Sequence, residues 1–220
     1  HLGHTSGSSD AETTLGGQWS AESQALRDHV SSEMSGELDP SGTSHGVHFG
    51  YLHQFPSGFV LGGEVAYTQN DAEESVNSGP TPTPPFPSLT YDVTREASID
   101  DQLSARLRAG FASGRHLFFG SVGYTEVRVG GLVAIESNGG YRKLGADSDH
   151  VDGIEYGLGY EFDFGNQWSL RLDYTRSDLD DISFNTVYQP GSTFVTPAYT
   201  ESVVQDFEFD SFRVGVSYRF

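Results

Sequence analysis

Strict two-residue alternation is the feature that most constrains this chain. A strand turns successive side chains to opposite faces, so a period of two marks strands whose faces meet different surroundings. In segment 46–55, Val47, Phe49, Tyr51, His53 and Phe55 oppose Gly46, His48, Gly50, Leu52 and Gln54. Segments 59–68, 102–111, 153–164, 167–175 and 212–220 repeat the pattern, and 116–129 reads as a strand with less distinct faces. Each of the seven is near the ~9–11 residues that cross a bilayer at a tilt. An eighth strand would close an antiparallel barrel with both termini on one side, and the room for it is at 15–29, where a helical reading of AESQALRDHV stays open. Residues 1–14, polar and rich in Gly and Ser, are expected to form a flexible tail ahead of a single barrel domain over 15–220. The chain opens at His1 rather than Met, which is what removal of a secretory leader would leave.

The connections alternate in length. Pro56-Ser57-Gly58, Ser113-Gly114-Arg115 and Gly165-Asn166 read as tight hairpin turns. Between them lie long polar stretches at 30–44, 70–99, 131–150 and 179–205. Short turns at one end and long loops at the other are the pattern of bacterial outer-membrane barrels. The fold expected is therefore all-β: an eight-stranded antiparallel up-and-down transmembrane β-barrel with long extracellular loops. No stretch of 18 apolar residues is present, so no membrane-spanning helix is expected.

Alternation alone does not say which face is inside. Three features place the apolar face toward lipid. The polar face is rich in small residues such as Gly50, Gly62, Ser104, Gly157 and Gly215, which a narrow barrel interior needs and a solvated face does not. The same face carries Glu64, Arg106, Arg108, Glu155, Glu161, Arg171, Asp173 and Arg213 at mid-strand, while lysine occurs once, as Lys143. Arginine with carboxylate is the combination that suits buried, hydrogen-bonded pairs. Finally, Phe55, Phe59, Phe111, Phe162, Phe164, Trp168, Tyr218 and Phe220 lie beside the short turns or at the C-terminus, where they would form an interfacial girdle.

The terminal SFRVGVSYRF (211–220) resembles the last strand of outer-membrane β-barrels, which alternates and ends in Phe. GVHFGYLHQFPSGFVLGGEVAYTQ (46–69) and GIEYGLGYEFDFGNQWSLRLDYT (153–175) resemble hairpins of the small OmpA/OmpX-like, opacity-type barrels. The resemblance covers about 44–220. It implies a membrane anchor with a plugged lumen, function in the outer loops, and residence in the outer membrane of a Gram-negative cell.

Composition excludes several chemistries. With 12 Lys+Arg against 31 Asp+Glu the net charge is -19, which excludes nucleic acid as a partner. The absence of cysteine excludes disulfides, thiolate metal sites and thiol catalysis. Asp147, Asp149 and Asp152, and Asp178, Asp180 and Asp181, are carboxylate clusters that could ligate Ca²⁺. They lack the register of a calcium loop and read mainly as solvated acidic segments, with no cofactor beyond loosely held divalent cations expected. His45 beside Ser44, and His116 across a turn from Ser113, are the only seeds of a Ser-His hydrolase, and neither has a third member. The run SGPTPTPPFPS (78–88) predicts a stiff extended arm with Phe86 and Tyr91 as apolar anchors. The nearly uncharged 183–202 is a candidate contact patch.

The leading expectation is thus a non-enzymatic surface-interaction protein, with the lumen charges as a structural plug. Its partners would be membrane lipid and lipopolysaccharide, and protein or self contacts through the loops. A narrow pore is the alternative, provided the charge pairs do not span the lumen; a membrane-embedded hydrolase is the second.

Overall fold

The computed structural model describes every residue except Pro85, so that position of the 78–88 run lies outside the described residues. In chain order the elements are β1 (Leu2–Gly17), a 3-10 turn (Gln18–Ala21), α1 (Gln24–Met34), β2 (Gly36–Leu38), β3 (Ser41–Gln54), β4 (Phe59–Asn77), β5 (Thr81–Pro82), β6 (Thr90–Ser113), β7 (His116–Ser137), β8 (Arg142–Gly165), β9 (Trp168–Leu179), β10 (Ile182–Asn185), β11 (Val187–Tyr188), β12 (Tyr199–Gln205) and β13 (Glu208–Tyr218). Eight of these form an antiparallel ring in the order β1-β13-β9-β8-β7-β6-β4-β3, closed by β3 pairing back to β1.

The first strand differs from the one expected. Residues 1–14 are not a flexible tail: Leu2–Ser8 pair with Val214–Glu208 of β13, and Leu2–Ser6 with His45–Ser41 of β3. The barrel therefore starts at Leu2 rather than at residue 15. Segment 15–29 holds only the end of β1, then the 3-10 turn and α1, whose cap is Ser23, its hydroxyl accepting the Leu26 N–H. The reason is local chemistry. β1 turns small residues inward (Gly3, Thr5, Ser9, Ala11) and mostly polar ones outward (Ser6, Ser8, Asp10, Glu12), so it has no apolar face to betray it.

The long polar stretches are also largely strand. β4 runs on to Asn77, β6 begins at Thr90, β7 ends at Ser137 and β8 begins at Arg142. These extensions, with β10, β11 and β12, stand above the membrane-crossing part as an outer barrel. The two parts have opposite polarity. In the membrane part Val47, Leu107 and Leu158 point outward at 67–69% exposure. In the outer part the interior is a continuous apolar core including Ile99, Val127, Val129, Ile135, Val203, Phe207 and Phe209, covered by Leu26, Val30 and Met34 of α1. α1 is held on β1 by the Thr13 hydroxyl donating to the Met34 carbonyl (3.0 Å) and the Ser31 hydroxyl to the Thr13 carbonyl (3.0 Å).

β6 and β7 make the change in different ways. β6 pairs Ile99 with Val129 and then Gln102 with Val127, an extra residue that switches its inward positions from odd to even numbers. β7 keeps one parity, and its inward row simply changes from Ser121, Gly123 and Thr125 to Val127, Val129, Val133 and Ile135. That explains the weak contrast of 116–129.

Candidate functional site

All eight predicted lumen charges are buried in the membrane part of the ring. β4 contributes Glu64, β6 Arg106 and Arg108, β8 Glu155 and Glu161, β9 Arg171 and Asp173, and β13 Arg213. Glu64 is the hub. It accepts from Arg106 (2.6 Å) and Arg108 (3.1 Å) and is paired with Arg171. Arg108 also reaches Glu161 (2.6 Å), Arg106 reaches Glu155 (2.9 Å), and Arg171 reaches Asp173 (2.7 Å). One layer outward, Arg213 donates to Gln102 (2.8 Å), whose amide donates to Glu155 (2.7 Å). β4 and β9 face each other across the ring, as do β6 and β13. The Glu64–Arg171 and Gln102–Arg213 contacts therefore span the full diameter. Four guanidinium groups meet four carboxylates, the neutral balance that a low-dielectric interior requires.

Phe119 belongs to this network although its aromatic ring gave no sequence signal for an inward position. The Arg108 guanidinium lies 3.7 Å from its ring centre and that of Arg171 5.3 Å. Gly159 makes room for it: a Cβ there would stand 2.0 Å from the ring. Gln102 is the other member that sequence reasoning missed.

Above the charges, the Thr5 hydroxyl bonds Asn70 (2.8 Å) and Ser211 (2.9 Å), and then the apolar core begins. At its far end Glu201 of β12 is completely buried. It accepts from the Trp19 indole (2.6 Å), the Tyr141 hydroxyl (2.5 Å), Thr186 and Lys143, the single lysine of the chain. Lys143 also donates to the Tyr199 carbonyl (2.8 Å) and lies 4.6 Å from the centre of the Tyr188 ring. This network joins the 3-10 turn, β8, β12 and the segment between β10 and β11. Burial, then the charges of Glu22 and Glu201, push the Tyr91 hydroxyl up to about 12. Burial and Glu201 likewise raise Tyr141, and burial and the hydrogen bond to Glu22 raise Tyr199.

The five buried cations and five buried carboxylates cancel, so the whole net charge of -19 lies on the exposed surface. The carboxylate clusters stay apart. Asp147, Asp149 and Asp152 are exposed along β8, and Asp178, Asp180 and Asp181 at the end of β9. Among the described residues no group of three or more such side chains is arranged to hold a metal ion. Extended strand spreads acidic residues that a coiled loop would have gathered. The Ser-His seeds do not assemble either. Ser44 faces inward and His45 outward, and His116 bonds Tyr160 (2.7 Å).

The girdle aromatics share the rim beside the short turns. Seven are exposed and Phe162 is half-buried; Phe55 and Phe59, Phe162 and Phe164, and Trp168 and Tyr218 form ring pairs 5.0–5.8 Å apart. A second row, Tyr67, Tyr124, Tyr156 and Tyr174, stands outward nearer the outer part, with the Tyr174 hydroxyl donating to Asp210 (2.7 Å). Two such rows bracket an apolar band, as in membrane-spanning barrels.

At the outer tip three loops are tied together. Thr193 N–H donates to the Gly140 carbonyl (2.9 Å) and the Asn138 amide to the Ser88 carbonyl (2.7 Å). Phe86, Phe194 and Val195 remain exposed there, and Phe194 has a φ of 58°, a conformation a bulky residue adopts only under constraint.

Apolar outside, charged and closed inside, and ringed by aromatics, this is a transmembrane β-barrel. The family described as "Outer membrane protein beta-barrel domain" matches residues 6–220, and the chain belongs to it. It is an outer-membrane protein. The 31 kDa outer-membrane immunogenic protein of Brucella melitensis biotype 1 is 25% identical over 191 residues, covering 86% of this chain and 71% of the relative. Among solved structures, Ail of Yersinia pestis, in complex with the heparin analogue sucrose octasulfate, is 13% identical with a TM-score of 0.33, covering 96% of this chain and 99% of that one. The outer membrane protease OmpT of Escherichia coli is 6% identical with a TM-score of 0.47, covering 100% and 96%.

Proposed function

We propose that this protein is a non-enzymatic surface-interaction barrel: the membrane part anchors, and the outer barrel presents a rigid, strongly acidic surface tipped by apolar loops. The observation that carries this reading is the double closure of the interior. Ion pairs span the diameter at membrane level, and an apolar core fills the outer half, so the groups free to meet a partner are on the outside. Phe86, Phe194 and Val195, held at the tip by inter-loop hydrogen bonds, are the contact residues for a protein partner or a second copy. Exposed Asp100, Asp149, Asp178 and Glu208 stand next to the outer tyrosine row, where anionic lipopolysaccharide headgroups lie. Contact there runs through loosely held divalent cations, since like charges otherwise repel. The Brucella relative is named an immunogenic protein, which fits a domain exposed at the cell surface.

Planar-bilayer recording tests the reading against a pore. Inserted protein is expected to stay silent. A reproducible open level whose ion selectivity shifts with Arg106→Ala or Arg171→Ala would overturn it. Replacing Phe86 and Phe194 with Ser is expected to abolish partner or self association while leaving the fold intact.

A further inference from the structure

One flank of the outer part does not follow the rule that water imposes on its surroundings. Elsewhere outward positions carry acids: Asp10 and Glu12 on β1, Asp71 and Glu73 on β4, Glu208 and Asp210 on β13. β10 and β12 turn out Ser183, Asn185 and Ser202, which water solvates as readily. On β7 and β8 the outward row is apolar instead. Leu132 pairs with Ala146, Ala134 with Leu144, and Val187 of β11 with Leu144 from its other side. With Gly130 these form one contiguous patch, in which Val187 is 60% exposed. The core does not require them, because the inward row of β7 (Val127, Val129, Val133 and Ile135) already fills it. A contiguous apolar patch on a water-facing surface marks an interaction site.

β7 is unusual again in the membrane part. Gly120 is turned to lipid between Phe118 and Val122, beside Ala109 of β6. A Cβ on Gly120 would meet nothing closer than 3.8 Å, so crowding within the chain does not demand glycine there. Gly120 and Ala109 leave a shallow dip in the lipid face. In lipid, association depends on close packing, and small residues let two backbones approach.

We infer that the β7–β8 flank pairs with the same flank of a second copy in the same membrane, about a two-fold axis along the membrane normal. The bilayer holds every copy at one height, so this rotation sets patch against patch and dip against dip. The charges suit it as well. The rotation carries the β6 side of one copy onto the β8 side of the other. Asp92, Glu136 and Arg142 stand in one row across β6, β7 and β8, so Arg142 meets Asp92 of the partner subunit. Within its own chain Arg142 has only a loose contact with Glu136 at 3.8 Å, both side chains being at least half exposed. On the acidic flanks two copies would instead set carboxylate against carboxylate, a repulsion that salt screens only beyond about 8 Å. Lateral pairing presupposes the surface reading, in which the outer barrel stands in water. It adds the partner within one membrane; self contact through the tip joins copies on apposed membranes.

Single cysteines test this in a chain that has none. Ala134→Cys stands near the axis, and Thr14→Cys is exposed on β1, across the ring from β7. Each variant is treated, in the outer membrane of expressing cells, with a bifunctional maleimide about 10 Å long, the spacing of two packed sheets. Ala134→Cys should give covalent dimer as its main product, and Thr14→Cys should stay monomeric. Adding Leu132→Glu, or Val187→Glu at the most exposed patch position, should cut the cross-linked fraction at least about 10-fold, because the axis sets the new charge against its own copy. Near-UV circular dichroism checks that these variants are folded. Adding Phe86→Ser and Phe194→Ser should leave the cross-linked fraction unchanged, so the tip and the flank fail separately. Equal cross-linking from Ala134→Cys and Thr14→Cys would overturn the inference, since random collision would explain both. So would monomer alone from an Ala134→Cys variant whose thiol reacts with a monofunctional maleimide. A dimer indifferent to both glutamate substitutions would overturn it too, because the patch would not be the contact.

Discussion

The membrane and outer parts of this barrel are built from the same strands under opposite rules. On β7, Phe118, Val122 and Tyr124 face outward in the membrane part, and Glu126 and Arg128 face outward just above. Inward, Ser121 and Thr125 give way to Val127 and Val129. The backbone is continuous across the change; what differs is the medium outside. Lipid draws apolar groups outward, which leaves ion pairs to fill the interior. Water draws charges outward, which leaves an apolar core. The difference shows that a period of two establishes strands, and that which face is the core follows from the solvent.

The largest expected effect breaks the inner rule. Glu64→Gln removes the carboxylate shared by Arg106, Arg108 and Arg171 and leaves buried positive charge uncompensated. The loss should be about 3–5 kcal/mol in urea unfolding from lipid vesicles. A matched pair of outward substitutions compares the two media directly. Leu107→Arg, on the lipid face, should cost about 2–4 kcal/mol. Glu126→Arg, outward on the outer part, should stay within about 0.5 kcal/mol in the same assay. Similar costs for the two would mean that the membrane boundary is drawn in the wrong place.

A smaller effect concerns the outer end. Glu201→Gln removes the charge that Lys143 faces and weakens four hydrogen bonds, at about 1.5–3 kcal/mol. Lys143 is the only lysine, so amine acylation followed by peptide mass mapping reads its accessibility without interference. It should be inert in the parent protein and react in the variant. The smallest effect is a pH dependence. Tyr91 keeps its proton up to about 12 in the folded state, against about 10 when unfolded. Between those values the unfolded chain releases a proton that the folded chain retains, so stability falls as pH rises from 10 to 12 and is unaffected below 10. Tyrosinate absorbance should therefore rise in two phases, the later one coinciding with loss of near-UV circular dichroism.

The same comparison explains what could be read from sequence. The lumen charges were legible because each sits among lipid-facing neighbours, as Arg106 does between Ala105 and Leu107. β1 was hidden because only its first residues meet lipid, and it turns small groups inward where bulkier ones would mark a core. The outer extension of β7 was hidden by Leu132 and Ala134, which put apolar groups on both faces. Glu201 is the one charge in the nearly uncharged 183–202, and its only signal as a buried group was that the single lysine needs a partner. Phe119 was illegible because its inward place depends on Gly159 of the next strand, a matter of register.

The two tryptophans sample the two regions, and their quenching by brominated lipid tests the account most directly. Trp168 is 49% exposed in the girdle, and Trp19 is 1% exposed in the outer core. In vesicles of brominated phospholipid, the Trp19→Phe variant should lose most of its remaining fluorescence to contact quenching. The Trp168→Phe variant should keep its emission, blue-shifted and insensitive to both bromolipid and aqueous acrylamide. Quenching of Trp19 by bromolipid, or of Trp168 by acrylamide alone, would contradict a barrel whose polarity inverts at the membrane surface.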